Sequence, residues 1–410
     1  MPDRLEPPKI LSRDRRTAPV KPDESNVIRD NKKSFLSKSE ILTLGGIDIP
    51  FFAIVIGLVT IGLVMLFSAT YPYALSKLND SYYYTKRQFV FVVAGIILML
   101  LISKMNYRII QKFVYWLFGL TVILLIVVLF HHTDFQDFRR WIPIGPFTFQ
   151  PSDLAKFTVI VVLADYISKN YKKMKHVLEG TVYPLIIIAI FCILIYFENH
   201  NSGMVLVFLI GATLMFCGGS DWKLFALGAG LVAAIAIFVI TNPEVLQQYA
   251  GERIVAWLDK DYDPLDARWQ TNNSLYAIGS GGFFGAGLGN SKQKFMYVSE
   301  PQNDFIFSIV CEELGFVGAA VIIFLFALLF IRGIKIALKS RDRFATLLVI
   351  GIVSQVAIQT VFNILVVTDT IPNTGIALPF FSYGGTSILL LLMEMGVVLS
   401  VSRSTNQKKV

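Results

Sequence analysis

A carboxylate set where an apolar run begins is the residue of this chain best placed for chemistry. Asp304 closes a polar stretch, Thr241 to Asn303, that separates two long apolar runs. The centre of that stretch reads GSGGFFGAGLGNSKQKF (279–295), with six glycines in residues 279–289, and is followed by SEPQNDFIF (299–307). Loops longer than roughly 12–15 residues are usually functional or disordered, and the Phe, Tyr and Trp of this one argue against disorder. Two readings of Asp304 stand side by side. An Asp ahead of an apolar run can be a helix N-cap, although Asn303 could cap equally well. Freed from capping, Asp304 can serve as a general base, because burial at a membrane edge raises a carboxylate pKa while a helix N-terminus lowers it.

The next candidates are charges that a membrane should exclude. An ionisable group at the bilayer centre costs on the order of 2.5–3.5 kcal/mol on insertion scales, so each is a functional hypothesis. Asp153, Lys156, Asp165, Glu198, Asp304, Glu312, Glu313 and Glu394 fall inside or at the edge of apolar runs. Asp153 and Lys156 are three residues apart and able to pair on one helix. Either they form a self-satisfied pair that tolerates burial, or Lys156 faces a cavity and holds an anion while Asp153 orients it. Pro143, Pro146 and Pro151 break the backbone of WIPIGPFTFQPSDLAK (141–156), and irregular backbone at membrane depth is tolerated only against protein or a cavity. Arg87 and Arg140 suit bidentate phosphate contact. Their plainer role is snorkelling to lipid headgroups, the reading adopted for Lys77 and Arg139.

Ten apolar runs must position these groups: roughly 48–69, 88–103, 109–130, 152–168, 180–197, 203–218, 222–241, 304–331, 344–367 and 377–402. Runs of about 20 apolar residues read as transmembrane helices. With 54% apolar residues and a mean hydropathy of +0.60, the expected fold is an all-α polytopic membrane protein of about ten transmembrane helices. A large extracellular loop, 242–303, separates spans 7 and 8 within a membrane domain covering 48–402. The tail 1–47 lacks the apolar core of a signal peptide, and Pro7, Pro8, Pro19 and Pro22 mark it as a disordered cytosolic extension. Residues 403–410 form a short cytosolic C-terminal tail. Orientation follows from cation bias: with an inside N-terminus, 26 of the 37 Lys and Arg lie in inside segments and ten in outside ones, five of these in the long loop.

That bias accounts for the +8 net charge without nucleic-acid binding. Cys192, Cys217 and Cys311 lie in apolar runs with no metal-ligand spacing and read as small core residues. No P-loop occurs, so no ATP-driven step is visible. The glycine run has GxGxxG-like spacing but no surrounding βαβ pattern, which rules out a dinucleotide loop. A close-packed re-entrant turn, or a surface where backbone amides approach a ligand, fits better. His131 and His132 are adjacent, which is poor metal geometry, and read as interface residues.

Five ordered segments resemble one known family: KRQF (86–89), RRWIPIGPFTFQPSDLAK (139–156), SLYAIGSGGFFGAGLGNSKQKF (274–295), NDFIFSIVCEELG (303–315) and IPNTGIALPFFSYGGTS (371–387). They match, in order and spacing, the SEDS family (shape, elongation, division and sporulation), which includes FtsW, RodA and SpoVE. The similarity runs from about 48 to 402. It implies ten spans in the bacterial cytoplasmic membrane and a peptidoglycan glycosyltransferase that polymerises lipid II on the outer face. The family's essential acid falls on Asp304, within a His-x-Asp-Phe motif whose His is here Gln302. Its Pro-Ser-Glu-x-x-Lys motif appears with Asp153 for Glu and with Lys156 kept. Glu312 and Glu313, and Gln359 with Asn363, also match. NSKQK (290–294) and IPNTG resemble the division and sporulation branch.

What the resemblance implies agrees with the residue reading. The donor lipid carries a pyrophosphate leaving group, and Arg87, Arg140 and Lys156, with Lys292 and Lys294 as further candidates, would offset its charge. Asp304 would deprotonate the acceptor hydroxyl as it attacks the donor's anomeric carbon with inversion. A divalent cation (Mg or Mn) at the phosphates is compatible with the sequence, though no carboxylate cluster demands one. Implied partners are lipid II, a class B penicillin-binding protein and other divisome or elongasome membrane proteins. Two other classes stay open: a lipid II flippase, since broken spans near Pro151 and Pro372 suit alternating access, and a scaffold recruiting the transpeptidase.

Overall fold

The computed structural model describes residues 45–130, 140–145, 147–241, 251–260, 268–298, 300–340 and 342–405. Most of the expected disordered tail (1–44), His131, His132, Arg139 and residues 406–410 lie outside the described residues.

Each of the ten apolar runs contains a helix, but two are not helical throughout: Phe113 separates a short helix, Arg108–Lys112, from the rest of 109–130, and residues 377–384 of the last run precede its helix. The first four are α1 (Ile49–Leu78), α2 (Tyr83–Lys104), α3 (Val114–Phe130) and α4 (Pro151–Asn170). A π-turn at Leu178–Val182 leads into α5 (Tyr183–Phe197), then α6 (Asn201–Cys217) and α7 (Trp222–Thr241). The stretch 242–303, expected as one loop, contains two helices, α8 (Gly251–Leu258) and α9 (Trp269–Gly281). Three long helices close the chain: α10 (Ile306–Lys339), α11 (Arg343–Val367) and α12 (Gly385–Thr405). Among the described residues, six helical stretches are long and apolar enough to cross a membrane: α1, α2, Leu178–Phe197, α10, α11 and α12. The helices α3 and α6 are apolar but shorter, and α4 and α7 have 20 residues each. The chain is a multi-pass helical membrane protein.

Charge explains where α4 sits. It carries Asp153, Lys156, Asp165 and Lys169, and it packs against α3, α5, α6, α11 and α12. Most of it is buried, so protein surrounds Asp153, Lys156 and Asp165, the arrangement that the cost of exposing ions to hydrocarbon favours, while Lys169 in the last turn is exposed. Around it, α12 lies along α2, and α10 packs against α1, α9 and α11. At the far end of the bundle Asp48 caps α1 through the Phe51 amide (3.0 Å) and receives both arms of Arg332 at 2.8 Å.

The glycine run is the close-packed turn expected of it, and what it packs against is a break in α10. Gly315 (φ 66°, ψ −169°) interrupts that helix, in a backbone region open to glycine. A break exposes unsatisfied amides and carbonyls, which hydrocarbon does not tolerate. The 282–287 segment satisfies them: the amides of Ala286 and Gly287 donate to the carbonyls of Glu312 (2.9 Å) and Glu313 (3.0 Å). In return the amides of Phe316 and Val317 donate to Gly282 (3.0 Å) and Phe283 (3.2 Å). Gly285 (φ 83°) lies so close to Glu313 and Gly315 that a Cβ would collide with backbone.

Irregular structure gathers at the end of the bundle that carries 242–303. Strands β1 (Ile142–Ile144) and β2 (Phe147–Phe149) pair antiparallel, with Pro143 opposite Thr148. Proline denies this stretch a helix. Phe147 packs edge-on against Phe91 of α2 (4.8 Å), and the Thr148 carbonyl accepts from the Thr386 hydroxyl at 3.0 Å.

Candidate active site

Asp304 does not cap α10. The helix begins at Ile306 with Phe305 at the cap position and no side-chain cap bond, while Asn303 donates to Glu300 at 2.7 Å. Two contacts hold the chain away from cap geometry. The Asn363 side-chain amide donates to the Asp304 carbonyl (2.6 Å), and the Tyr383 amide donates to the Gln302 carbonyl (2.7 Å). The Asp304 carboxylate is therefore free for other work. It is half-buried beside exposed Gly375 (φ 68°), where a Cβ would lie 3.6 Å from Oδ2. Burial pushes its pKa up to about 6 from the ordinary 3.8; its own backbone amide and Arg253 pull it down, and Glu300 pushes it up. Burial is the larger effect, so the group sits where a base working near neutral pH must be.

A second centre surrounds Lys156. Its ammonium lies 2.7 Å from the Asp153 carboxylate, both side chains almost wholly buried. Asp153 also accepts from the Ser387 hydroxyl of α12, and Glu394 of α12, bonded to Gln355 at 3.0 Å, feels the charge of Lys156. On the other flank Gln150, Ser152 and His200 form a triangle: Gln150 to Ser152 3.1 Å, Gln150 to His200 Nδ1 3.4 Å, Ser152 to His200 Nδ1 3.1 Å. The Gln150 amide can only donate, so Nδ1 accepts and the proton of this imidazole belongs on Nε2. Burial and the charges of Arg140 and Lys156 push the His200 pKa down to about 3, which keeps the ring neutral. Arg140 donates to the Asn199 carbonyl. Glu198 is fully buried with neither carboxylate oxygen hydrogen-bonded, and burial pushes its pKa up to about 8 against the pull of Arg140.

One segment connects the two centres. Residues 368–384, between α11 and α12, pass beside Asp304 at Gly375 and bond Asn363 through the Ile376 carbonyl (2.8 Å). Further on, Gln88 of α2 brackets the segment, donating to the Ser382 carbonyl (3.3 Å) and accepting from the Gly384 amide (3.2 Å). Arg87 lies 4.3 Å from the Tyr83 ring centre and hydrogen-bonds Tyr383. Ser387 then reaches Asp153. Motifs far apart in the chain, KRQF, PSDLAK, NDF and IPNTG, thus meet at one end of the bundle.

The remaining candidates fall in different places. Lys292 is exposed, its amide bonded to Glu312 at 2.8 Å. Lys294, expected as a phosphate contact, is completely buried: its ammonium is 2.8 Å from Glu313, also fully buried, and it donates to the Gly289 carbonyl. That placement leaves no surface for a ligand, and the residue ties the glycine-rich loop to α10 instead. Asn363 is likewise buried, and it holds backbone. Gln359, one turn earlier, is buried too. Gln302, at the family's His position, is buried with an unbonded Oε1.

Sequence reasoning overlooked two residues, His200 and Arg253. The signal for His200 was a polar triplet between apolar runs. Arg253 lies in a long loop, where cation statistics carry little meaning, and only its position on α8 near Asp304 distinguishes it.

Known proteins share this architecture. The profile described as "Cell cycle protein", for FtsW, RodA and SpoVE, matches residues 49–407. Stage V sporulation protein E of Bacillus subtilis (strain 168) is 39% identical over 359 residues, 87% of this chain and 97% of that protein. A probable peptidoglycan glycosyltransferase FtsW of Geobacter sp. (strain M18) is 36% identical over the same shares of the two chains. Among solved structures, one described as showing structural coordination of polymerization and crosslinking by a peptidoglycan synthase complex superposes with a TM-score of 0.72 at 26% identity, covering 88% of this chain and 99% of that one. The rod shape determining protein RodA of Thermus thermophilus gives 0.65 at 25% identity over the same shares. A profile spanning every helix from α1 to α12, together with relatives matched over almost their whole length, leaves one assignment: the chain belongs to the FtsW/RodA/SpoVE family of cell cycle proteins.

Proposed function

We propose that the chain is a peptidoglycan glycosyltransferase that polymerises lipid II on the outer face of the bacterial cytoplasmic membrane, with Asp304 as general base. The observation that carries this reading is Asp304 itself: a half-buried carboxylate, released from capping, with a pKa near 6, beside exposed Gly375. Relatives named as probable peptidoglycan glycosyltransferases support the activity. The cation bias supports cytosolic termini and an outward site.

In the reaction the acceptor's sugar hydroxyl gives its proton to Asp304 as its oxygen attacks the donor's anomeric carbon. The bond from that carbon to the pyrophosphate oxygen breaks on the opposite face, which inverts the centre. The pyrophosphate leaves with the electron pair, and Arg87, Arg140 and Lys156 offset its charge. Lys156 is held for this by Asp153, and neutral His200 adds no competing charge. A good leaving group needs only one base and electrostatic stabilisation. Among the described residues no three carboxylates, histidines or cysteines converge, so a Mg or Mn ion would take most of its ligands from phosphate and water. The neighbour described as coordinating polymerization with crosslinking supports a class B penicillin-binding protein as partner.

The test is polymerisation of labelled lipid II by the purified protein with its cognate transpeptidase, wild type against Asp304→Ala. Glycan strands that form only with Asp304 present, in a variant that folds and binds its partner, are the expected result. Equal polymerisation by both forms would sink the assignment of the base. A folded wild-type complex that makes no polymer yet moves lipid II across vesicles would put a flippase in its place.

A further inference from the structure

We propose that the turn 171–178, between α4 and α5, forms with Arg343 of α11 a binding site for an anionic phospholipid of the cytosolic leaflet. The inference rests on the orientation supported above, which puts this end of the bundle at the cytosol, and on no step of the reaction.

Four observations converge. First, positive charge is concentrated here: Lys169, Lys172, Lys173, Lys175 and Arg343 are all exposed, while Glu179 is the one acid of residues 170–182. Lys169 pairs with Asp165 at 2.7 Å. Among the described residues, Lys172, Lys173, Lys175 and Arg343 form no ion pair. Second, Arg343 is fixed from another element: its guanidinium carbon stands 3.5 Å from the centre of the Tyr171 ring. Such stacking holds the guanidinium plane while its N–H edge stays open to phosphate oxygens. Third, the turn is a built platform. Met174 is buried beneath it, and its carbonyl lies where a Cβ on Gly180 would collide. The Gly180 amide donates to the His176 carbonyl (2.8 Å), the Ser220 hydroxyl to the Gly180 carbonyl (2.7 Å) and the Tyr166 hydroxyl to the Glu179 carbonyl (3.0 Å). Fourth, apolar surface adjoins the charge. Val177 and Leu178 are exposed just where the membrane-crossing stretch Leu178–Phe197 begins.

A cation bias asks only for Lys and Arg near the end of a span. It does not ask for a folded turn, or for an arginine held by a ring 172 positions away in sequence. Clusters of about four to eight cations at the cytosolic end of a span attract anionic headgroups. A guanidinium fork with mobile ammonium groups beside it suits a phosphodiester. An acidic protein would answer the charge and leave Val177 and Leu178 unmatched. A lipid answers both, its phosphate meeting the cations and its acyl chains the apolar side chains.

The test uses the full-length protein in phosphatidylcholine vesicles carrying a trace of spin-labelled phosphatidylglycerol or spin-labelled phosphatidylcholine. Electron paramagnetic resonance reads how strongly the protein immobilises each. Wild type should hold phosphatidylglycerol about tenfold more strongly, the scale of one hydrogen bond between charged groups, and added salt should weaken the preference. The combined variant Lys172→Gln, Lys173→Gln, Arg343→Gln should lose most of it, and Arg343→Lys should keep part. Lys335→Gln, which removes an exposed cation at the same end of α10, should keep the full preference. If the combined variant misfolds, Arg343→Gln alone is read, with a smaller loss expected. Equal loss in Lys335→Gln would reduce the effect to general surface charge and overturn the proposal. Equal retention of the two lipids by wild type, or an unchanged preference in the combined variant, would also overturn it. Displacement of the lipid by glycerol phosphate would assign the site to free phosphates instead. Binding of a polyglutamate peptide, sensitive to the same substitutions and without any lipid preference, would give the face to an acidic protein. Failure of wild type to polymerise lipid II counts against the glycosyltransferase reading alone, because the lipid comparison needs no turnover.

Discussion

One side-chain nitrogen, Asn363 Nδ2, donates to two backbone carbonyls, that of Asp304 at 2.6 Å and that of Ile376 at 2.8 Å. It thereby fastens the entry of α10 to the segment that faces the Asp304 carboxylate. Removing a buried donor from two acceptors costs about 1–3 kcal/mol for each group left unpaired. Asn363→Ala should lower polymerisation more than it raises the KM for lipid II, and lower the Tm of the detergent-solubilised protein. Wild-type kcat in that variant would show that the carboxylate is positioned by other contacts.

The raised pKa of Asp304 fixes the direction of its pH dependence. A base must be deprotonated, so kcat/KM should be constant above about pH 7 and fall as pH drops through about 6, approaching a tenfold loss per unit below it. Rates of single-turnover polymerisation between pH 5 and 8 check this. An acid limb near 4 would mean that burial does not govern the group.

Lys294 and Glu313 form an ion pair with no exposed surface. Breaking such a pair from one side leaves an uncompensated buried charge and typically costs about 3–5 kcal/mol. Lys294→Met and Glu313→Gln should each lower thermal stability strongly, and joint replacement of both by apolar residues should recover part of the loss. Since the pair anchors the glycine-rich loop, activity should track stability across this series. A stable Lys294→Met protein with lost pyrophosphate binding would return Lys294 to the ligand.

Glu198 gives a pH effect of opposite kind. Its folded pKa is raised to about 8 from an ordinary 4.5, so the folded state holds a proton that the unfolded chain releases. Its contribution is fully present below about pH 4.5 and is lost as pH rises towards 8. Glu198→Gln keeps the neutral form at every pH. The Tm advantage of the variant should therefore grow from pH 5 to pH 8, as differential scanning calorimetry at stepped pH would record. A constant difference would show that Glu198 is ionised throughout.

Local patterning alone determined much of this protein. Each of the ten apolar runs contributed a helix, because a chain in hydrocarbon must satisfy its backbone within each segment, although the last run begins with eight non-helical residues, 377–384. The i, i+3 spacing of Asp153 and Lys156 became an ion pair, and five short motifs carried the family. Tertiary structure decided what depends on partners distant in sequence. Asp304 and Asn303 have the local form of a helix cap, yet Asn363 and Tyr383, 59 and 81 positions from the residues they hold, 304 and 302, keep the chain from capping. Lys294 reads as an exposed loop cation until Glu313 buries it. Four of the six glycines have a reason only once the break at Gly315 is there: Gly282 and Gly287 exchange backbone hydrogen bonds across it, and Gly281 and Gly285 lie too close to residues 311–315 for a Cβ. Burial, and with it the pKa of Asp304, is set by what surrounds a group in space, and a linear pattern does not record that.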